Sequence, residues 1–545
     1  MQPAKDIACA DWPCQSPDAE PLSKPEARSR VRSDITRKSG AMLSVACCIS
    51  LLGPNAVAQP AGDSSNMGGG IREQAQPKQT VGAARKPKGK SDAGAARSTA
   101  PAPVGNGDAA APAASPARFD RQYGFKGWNI MFPSYADTLL QDYGSFRSTL
   151  AEYGFGFAMI QGPVAAGNML DALRSGPGPS NGPGKSPSSQ QYFGQQPSLT
   201  YGNSFFLTYD TSRYGIPDGQ LAVAGVASWS SWDHFAPNRF GLYNLSWYQA
   251  LLDRKLELKI GYMSNAQEWI GPNIGGSFAS PFGASASIPY LMGMSPNAIT
   301  QPTARVTWHI TDSLYDQFGV MRSLGINGPS GDIVYDDSRF YNPTGFRFSV
   351  PNGGLLAVNE LGWKTGPAFG PPQTWVRAGL MYNTSQFQNY ETGAKDSGVG
   401  AAYFLADRQL WQNAPGSPLT AYRGVYAGIS AMYAPPEYAA YSQYYEARVY
   451  SVGLFDSRPM DLMVLSYNRN IFSRYLVSSV NMAAPLTGLF AHRDGSNSVT
   501  FAYTARVRPG LYVTTGLSYT DHPSLTYVKN QGSDLNWLIN LVTVL

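Results

Sequence analysis

The sequence predicts an all-β protein: a transmembrane antiparallel β-barrel of about sixteen strands, with a short N-terminal helix and a disordered N-terminal segment. Three observations predict it. The composition is poor in charged residues, 14%, and rich in aromatic residues, 12%, with 57 Gly, which favours strands and turns. From residue 154 onward, apolar and polar side chains alternate with a period of two. The connections between these segments are alternately short and long.

The N-terminal residues 1–58 are predicted to be a signal peptide. A basic stretch ends at Arg37-Lys38, an apolar run follows from residue 41 to 53, and the small-residue triplet Ala56-Val57-Ala58 precedes the expected cleavage point. The apolar run is shorter than the roughly 18 residues that a transmembrane helix needs. A buried helix and a lipoprotein box at Cys47 are the weaker interpretations. The predicted mature chain contains no cysteine, because all four precede the cleavage point: Cys9, Cys14, Cys47 and Cys48.

Residues 59–117 are rich in Ala, Pro, Gly, Ser and Lys and hold almost no large apolar side chain, which predicts disorder. Seven Lys or Arg against four acids place +3 of the net charge of +5 in this segment. We therefore expect no nucleic-acid partner. The segment is interpreted as a spacer; the alternative is that its basic stretch "ARKPKGK" contacts an anionic cell-wall polymer.

Residues 118–153 are predicted to form a periplasmic helix region that precedes the barrel at 154–545. Leu139, Leu140, Phe146 and Leu150 have helical spacing between Tyr135 and Tyr153.

The barrel strands are predicted from alternation such as that in "ARVTWHI", residues 304–310. Its odd-numbered residues Arg305, Thr307 and His309 are polar, and the residues between them are apolar. Strands are predicted at 154–168, 199–212, 219–232, 238–252, 255–269, 301–311, 313–323, 354–365, 372–385, 397–411, 422–434, 441–455, 461–472, 496–507, 511–521 and 536–545. A soluble sandwich is the alternative, but long loops at every second connection favour a membrane barrel.

A barrel of this size is too wide for side chains to fill, so we expect a water-filled lumen. The loop 270–300 holds Phe278, Phe282, Ile288 and Met292, which makes it too apolar for a solvated tip. It is predicted to fold into the lumen and narrow it, or else to pack on neighbouring loops or a partner subunit.

Catalysis finds little support in the sequence. The four histidines are scattered without ligand spacing, and neither a Gly-x-Ser-x-Gly motif nor a phosphate-binding glycine loop occurs. We expect no enzyme, no metal and no cofactor; a composite Ser or Asp site with a His is the alternative.

Several motifs, in order, resemble the carbohydrate-selective porin family of the OprB type. "LLQDYGSFRSTLAEYG" resembles its N-terminal Gly-Gly-x-Arg-x-x-Leu helix, with Ser145 in place of the second glycine. "WYQALLDRKLELKIGYMSNAQEW", "GLLAVNELGW", "AYFLADRQLW", "YAGISAMYAPPE" and "VGLFDSRPMDLMVLSYNRNIFS" resemble later strands and hairpins. The late strands depart from the family: Thr514 and Ser518 replace the usual glutamines, Thr500 a usual Glu, and Leu545 a terminal aromatic residue.

The resemblance implies a sixteen-stranded outer-membrane channel for passive diffusion of glucose and related small sugars. Inward loops would narrow it, and Arg, Lys, Glu and aromatic side chains would line it. The alternatives are a plugged barrel that anchors the outer membrane to the cell wall, and a polysaccharide-export channel. Expected partners are small sugars and outer-membrane lipid, with the protein a monomer or homotrimer. The candidate pore-lining residues are Lys259, Asn265, Glu268, Arg305, Glu360, Lys364, Trp375, Arg377, Asp407, Glu446 and Arg448.

The stretch "LLAVNELGWKTG" shows why charges fall within an apolar segment. If Leu361 and Trp363 face lipid, the period of two turns Glu360 and Lys364 into the lumen. Asn359 is then expected on the lipid side, and Arg377 of the next strand is a candidate partner for Glu360.

Overall fold

The computed structural model describes residues 126–127, 135–170, 190, 192–232, 238–270, 288–296, 298–365, 373–413, 416, 420–493, 495–528 and 532–545. The predicted signal peptide and the segment 59–117 lie outside these residues. Among the helices in the described ranges, none has the length and apolar character needed to cross a membrane.

Strands dominate the described residues. They are β1 Phe155–Gln161, β2 Val164–Asn168, β3 Ser198–Asp210, β4 Gly219–Ser230, β5 Arg239–Leu251, β6 Leu256–Met263, β7 Gln301–His309, β8 Leu314–Arg322, β9 Leu355–Lys364, β10 Thr374–Gln388, β11 Lys395–Gln412, β12 Gly424–Tyr433, β13 Tyr441–Val452, β14 Leu462–Phe472, β15 Leu489–Ala491, β16 Ser496–Arg508, β17 Leu511–Thr520, β18 Thr526–Val528 and β19 Asp534–Val544. All but β15 and β18 join one antiparallel sheet.

The sheet closes on itself where β19 pairs with β1 and β2. Those two strands are one barrel strand interrupted at Gly162-Pro163: Phe155 pairs with Tyr209 and Val164 with Thr200, so the register with β3 is unchanged across the break. Proline lacks the N–H that the sheet needs, which explains the interruption. Counting β1 and β2 as one position gives sixteen barrel strands, and the predicted fold class is confirmed.

The two faces of each strand differ as the alternation predicts. On β7, Trp308 is 55% exposed and Val306 37%, whereas Arg305 is 2% exposed and Thr307 4%. On this strand apolar side chains point outward and polar side chains point into the barrel, as in outer-membrane barrels.

The two rims of the barrel also differ. We call one the short-turn rim, which carries the connections 211–218, 252–255, 310–313, 453–461 and 509–510. We call the other the long-loop rim, which carries 264–300, 323–354 and 473–495. In outer-membrane barrels, short turns face the periplasm and long loops the exterior.

The N-terminal helix is shorter than its apolar spacing predicts. Helix α1 is Phe146–Glu152, while Leu139 and Leu140 lie in turns before it. Gly144 and Ser145 have positive φ, 64° and 57°, which a continuous helix does not allow.

The strand predicted at 255–269 ends earlier, at Met263, and residues Asn265–Gln267 form a 3₁₀ turn. The turn is held by its own loop: the Ala266 amide donates to the Ser295 carbonyl at 2.9 Å. Two of the candidate pore-lining residues, Asn265 and Glu268, therefore reach the lumen from a loop and not from a strand.

The connection 473–495, between the strands predicted at 461–472 and 496–507, contains a helix, Arg474–Thr487, and the strand β15, which pairs with β18. The helix has ordinary boundary signals, since Ser473 accepts from the Leu476 amide at 3.2 Å and Gly488 ends it with φ 70°. The sequence interpretation missed both.

Asn359 faces outward, as its position in the alternation predicts. Its side-chain amide donates to Asp316 Oδ1 at 2.9 Å on the neighbouring strand β8. The hydrogen bond gives each polar group a partner on an otherwise apolar wall.

Candidate functional site

The long loop after β6 fills part of the lumen. Among its described residues, Trp269, Ile288 and Met292 are completely buried, and they belong to one apolar cluster with Leu356 of β9 and Met381 of β10. The predicted inward folding is confirmed for these residues; Phe278 and Phe282 lie outside the described ranges.

The loop also brings a carboxylate to two strand cations. Lys259 Nζ of β6 donates to Glu268 Oε1 at 2.6 Å, and Arg305 of β7 donates to Glu268 Oε2. Both cations are almost completely buried, with exposed fractions of 1% and 2%. Asn265 lies nearby in the loop, where its amide donates to Gln301 Oε1 at 2.7 Å and to Thr303 Oγ1 at 3.0 Å.

Glu360 is held by two tyrosines that sequence reasoning did not select. Its carboxylate accepts from Tyr315 at 2.8 Å and from Tyr403 at 2.7 Å. Each tyrosine ring lies over a glycine of the neighbouring strand: a Cβ on Gly362 or Gly379 would stand 2.1 Å from a ring carbon. Glycine at an inward position beside an inward tyrosine is the signal that would have identified these partners.

Three candidate residues form a stack close to the short-turn rim. Lys364 Nζ lies 4.2 Å from the ring centroid of Trp375, and the Arg377 guanidinium carbon lies 3.9 Å from it. Trp375 Nε1 donates to the Tyr315 hydroxyl at 3.0 Å, which connects the stack to Glu360. Cation–π attraction and this hydrogen bond fix the ring between the strands.

Arg377 stands opposite Gly362 in the sheet, and Glu360 stands opposite Gly379. The Arg377 guanidinium donates to the Trp269 carbonyl of the inserted loop. The stack is therefore connected to the loop that carries Glu268.

The last group is an ion-pair network on β11 and β13. Arg448 donates through Nε and Nη2 to both oxygens of Asp407, at 2.9 and 2.7 Å, and through Nη1 to Glu446 at 3.3 Å. The bidentate geometry fixes the guanidinium plane. The eleven candidate residues thus all face the interior, in neighbouring groups along β6 to β13.

The departures in the late strands lie together. Thr500 Oγ1 of β16 and Ser518 Oγ of β17 are 2.8 Å apart, so two of the altered positions are partners. Thr504 and Thr514 form a second hydroxyl pair at 2.9 Å. Ser498 and Thr520 form a third at 2.8 Å. This part of the lumen wall is polar without charge.

A sequence-family model described as carbohydrate-selective porin, OprB family, matches residues 167–534. The match spans more than half of the 545-residue chain. The chain belongs to the carbohydrate-selective porin family. It is an outer-membrane protein and a channel for sugars, and the family and fold are those of a channel and not of an enzyme.

The barrel fold agrees with that of a solved structure. The high-pH structure of Pseudomonas putida OprB shares 15% identity with a TM-score of 0.59, covering 76% of this chain and 100% of that one. Its low-pH structure, at 14% identity over the same shares of the two chains, has a TM-score of 0.44. A comparison with curated protein sequences finds no match.

Proposed function

We propose that sugar is recognised at the stack by Lys364 and Trp375, and that the buried Arg377 supports the Trp375 ring. The observation that carries this proposal is exposure. Lys364 and Trp375 are partly exposed, whereas Lys259, Arg305 and Arg448 are 1–2% exposed and donate to carboxylates. A solute that crosses the lumen can reach only side chains with exposed surface, and within the stack Lys364 and Trp375 offer it, whereas Arg377 is 2% exposed.

The chemistry of the stack suits a sugar. An ammonium group donates hydrogen bonds to hydroxyl oxygens, and an indole can pack on the apolar face of a sugar ring. Because Trp375 holds Lys364 by cation–π contact and is itself held by Arg377, the N–H donors of Lys364 are positioned before the solute arrives. Contacts of this kind are weak enough to release the solute, as conduction requires.

The test is glucose block of ion current through single channels in planar bilayers. For Lys364→Met and for Trp375→Leu we expect a dissociation constant about tenfold higher, equivalent to about 1.4 kcal/mol. Thr514→Val is the matched control, because Thr514 also faces the interior but belongs to the uncharged wall. Unchanged block in both stack variants would remove the stack as the recognition site.

A further inference from the structure

Two residues from the N-terminal region, Lys126 and Gly127, contact side chains that face the interior of the barrel. The Gly127 carbonyl accepts from Lys259 Nζ at 3.2 Å and from Arg305 Nη2 at 3.0 Å. The Lys126 amide donates to Gln220 Oε1 at 2.8 Å. These three partners are on β6, β7 and β4 and are 1–2% exposed. The contacts therefore place this dipeptide inside the barrel.

The position requires glycine. Gly127 has φ +66°, and a Cβ on it would lie 2.1 Å from a ring carbon of Tyr248 on β5. The backbone thus packs directly on an inward-facing aromatic ring, which only a residue without a side chain can do. The packing of Gly127 on Tyr248 and the two charge-assisted hydrogen bonds to the Gly127 carbonyl independently indicate that Gly127 contacts the barrel wall.

The same region is attached a second time, to another part of the barrel. Asp137 accepts from Arg506 Nε at 2.8 Å and from the Gly510 amide at 3.2 Å, at the turn between β16 and β17. Gly127 is held against β5 to β7. The N-terminal region is therefore attached to two separate walls at the short-turn end of the barrel.

We propose that Lys259, Glu268 and Arg305 form a docking site for the Lys126-Gly127 dipeptide of this chain, and that the docked dipeptide narrows the channel. Glu268 orients the two cations, and the Gly127 carbonyl accepts from both. The docking site and the stack of Lys364, Trp375 and Arg377 therefore have different effects. Loss of docking widens the pore, whereas loss of the stack weakens the binding of sugar.

The variant Gly127→Val of the full chain tests the proposal without changing any barrel residue. In planar bilayers we expect single-channel conductance to rise about twofold, since the docked dipeptide no longer excludes water and ions from part of the cross-section. Gly144→Val is the matched control: Gly144 has a similar φ of +64°, but a Cβ there meets nothing within 4 Å. We expect its conductance to equal that of the parent.

A second variant covers the case in which Gly127→Val assembles poorly, as judged by heat-modifiable migration on gels. Deletion of residues 59–134 removes the docking segment and leaves Asp137 in place, and it should raise conductance to the same extent. Equal conductance in the parent and in both variants would overturn the proposal. Glucose block is read separately in the same recordings, so failure of docking and failure of the stack give different results.

Discussion

The lumen has two kinds of wall, and they are stabilised differently. Along β6 to β13 the interior carries ion pairs and cation–π contacts, such as the bidentate pair of Arg448 and Asp407. On β16 and β17 the interior carries hydroxyl pairs between residues in register, such as Thr504 with Thr514. Charged groups inside a protein need several partners at once, whereas two hydroxyls satisfy each other locally. The charged wall should therefore depend on distant residues, and the hydroxyl wall should not.

The largest expected difference is in stability. Arg448→Met leaves Asp407 and Glu446 buried without their shared cation, so we expect a loss of about 3–5 kcal/mol in the free energy of unfolding. Equilibrium denaturation of the refolded barrel in lipid vesicles measures it. A loss of stability smaller than that caused by Thr514→Val on the hydroxyl wall would show that the two walls do not differ in this way.

The hydroxyl wall should tolerate an equivalent change. Thr514→Val has nearly the same shape and removes one hydroxyl of a pair, for which we expect a loss of about 0.5–1.5 kcal/mol in the same denaturation measurement. Thr504→Val in the same chain removes the second hydroxyl, and the double variant should recover part of the loss because no polar group is then left unpaired. If the loss in the double variant equals the sum of the losses in the two single variants, the two hydroxyls are not paired.

The most local expected effect concerns the small sheet of β15 and β18 at the long-loop rim, which we call the cap. The rings of His492 and His522 stack with centroids 3.8 Å apart at the long-loop rim. Burial first, and then the neighbouring His522, lower the pKa of His492 from 6.5 to about 4, against the opposing effect of Asp521. At pH values between 6.5 and about 4, His492 therefore binds more protons in the unfolded cap than in the folded cap. The free energy of unfolding of the cap decreases as the pH falls through that window.

Hydrogen exchange followed by mass spectrometry measures this effect. Protection of the β15 amides, after correction for intrinsic exchange rates, should fall between pH 7 and about pH 4.5. His492→Phe keeps an aromatic ring on His522 but removes the titrating group at position 492, and its protection should decline much less over the same pH range. An equal decline in both proteins would exclude His492 as the cause.

Sequence patterns predicted the strands well and the site in part. All sixteen barrel segments and their inward faces follow from a period of two, because the direction of a side chain in a strand depends only on its place in the alternation. The same rule selected Glu360 and Arg377 as interior residues. It did not select Tyr315 and Tyr403, because a tyrosine on the inward face is equally consistent with ordinary packing.

What the sequence determined, then, is what depends on near neighbours in the chain: the number of strands, the face of each side chain and the polarity of each wall. Tertiary structure decided which interior groups meet. Arg377 binds a carbonyl 108 residues away, and Arg305 binds one 178 residues away. Contacts at such separations depend on barrel closure and on the path of the inserted loop, neither of which is fixed by any local pattern.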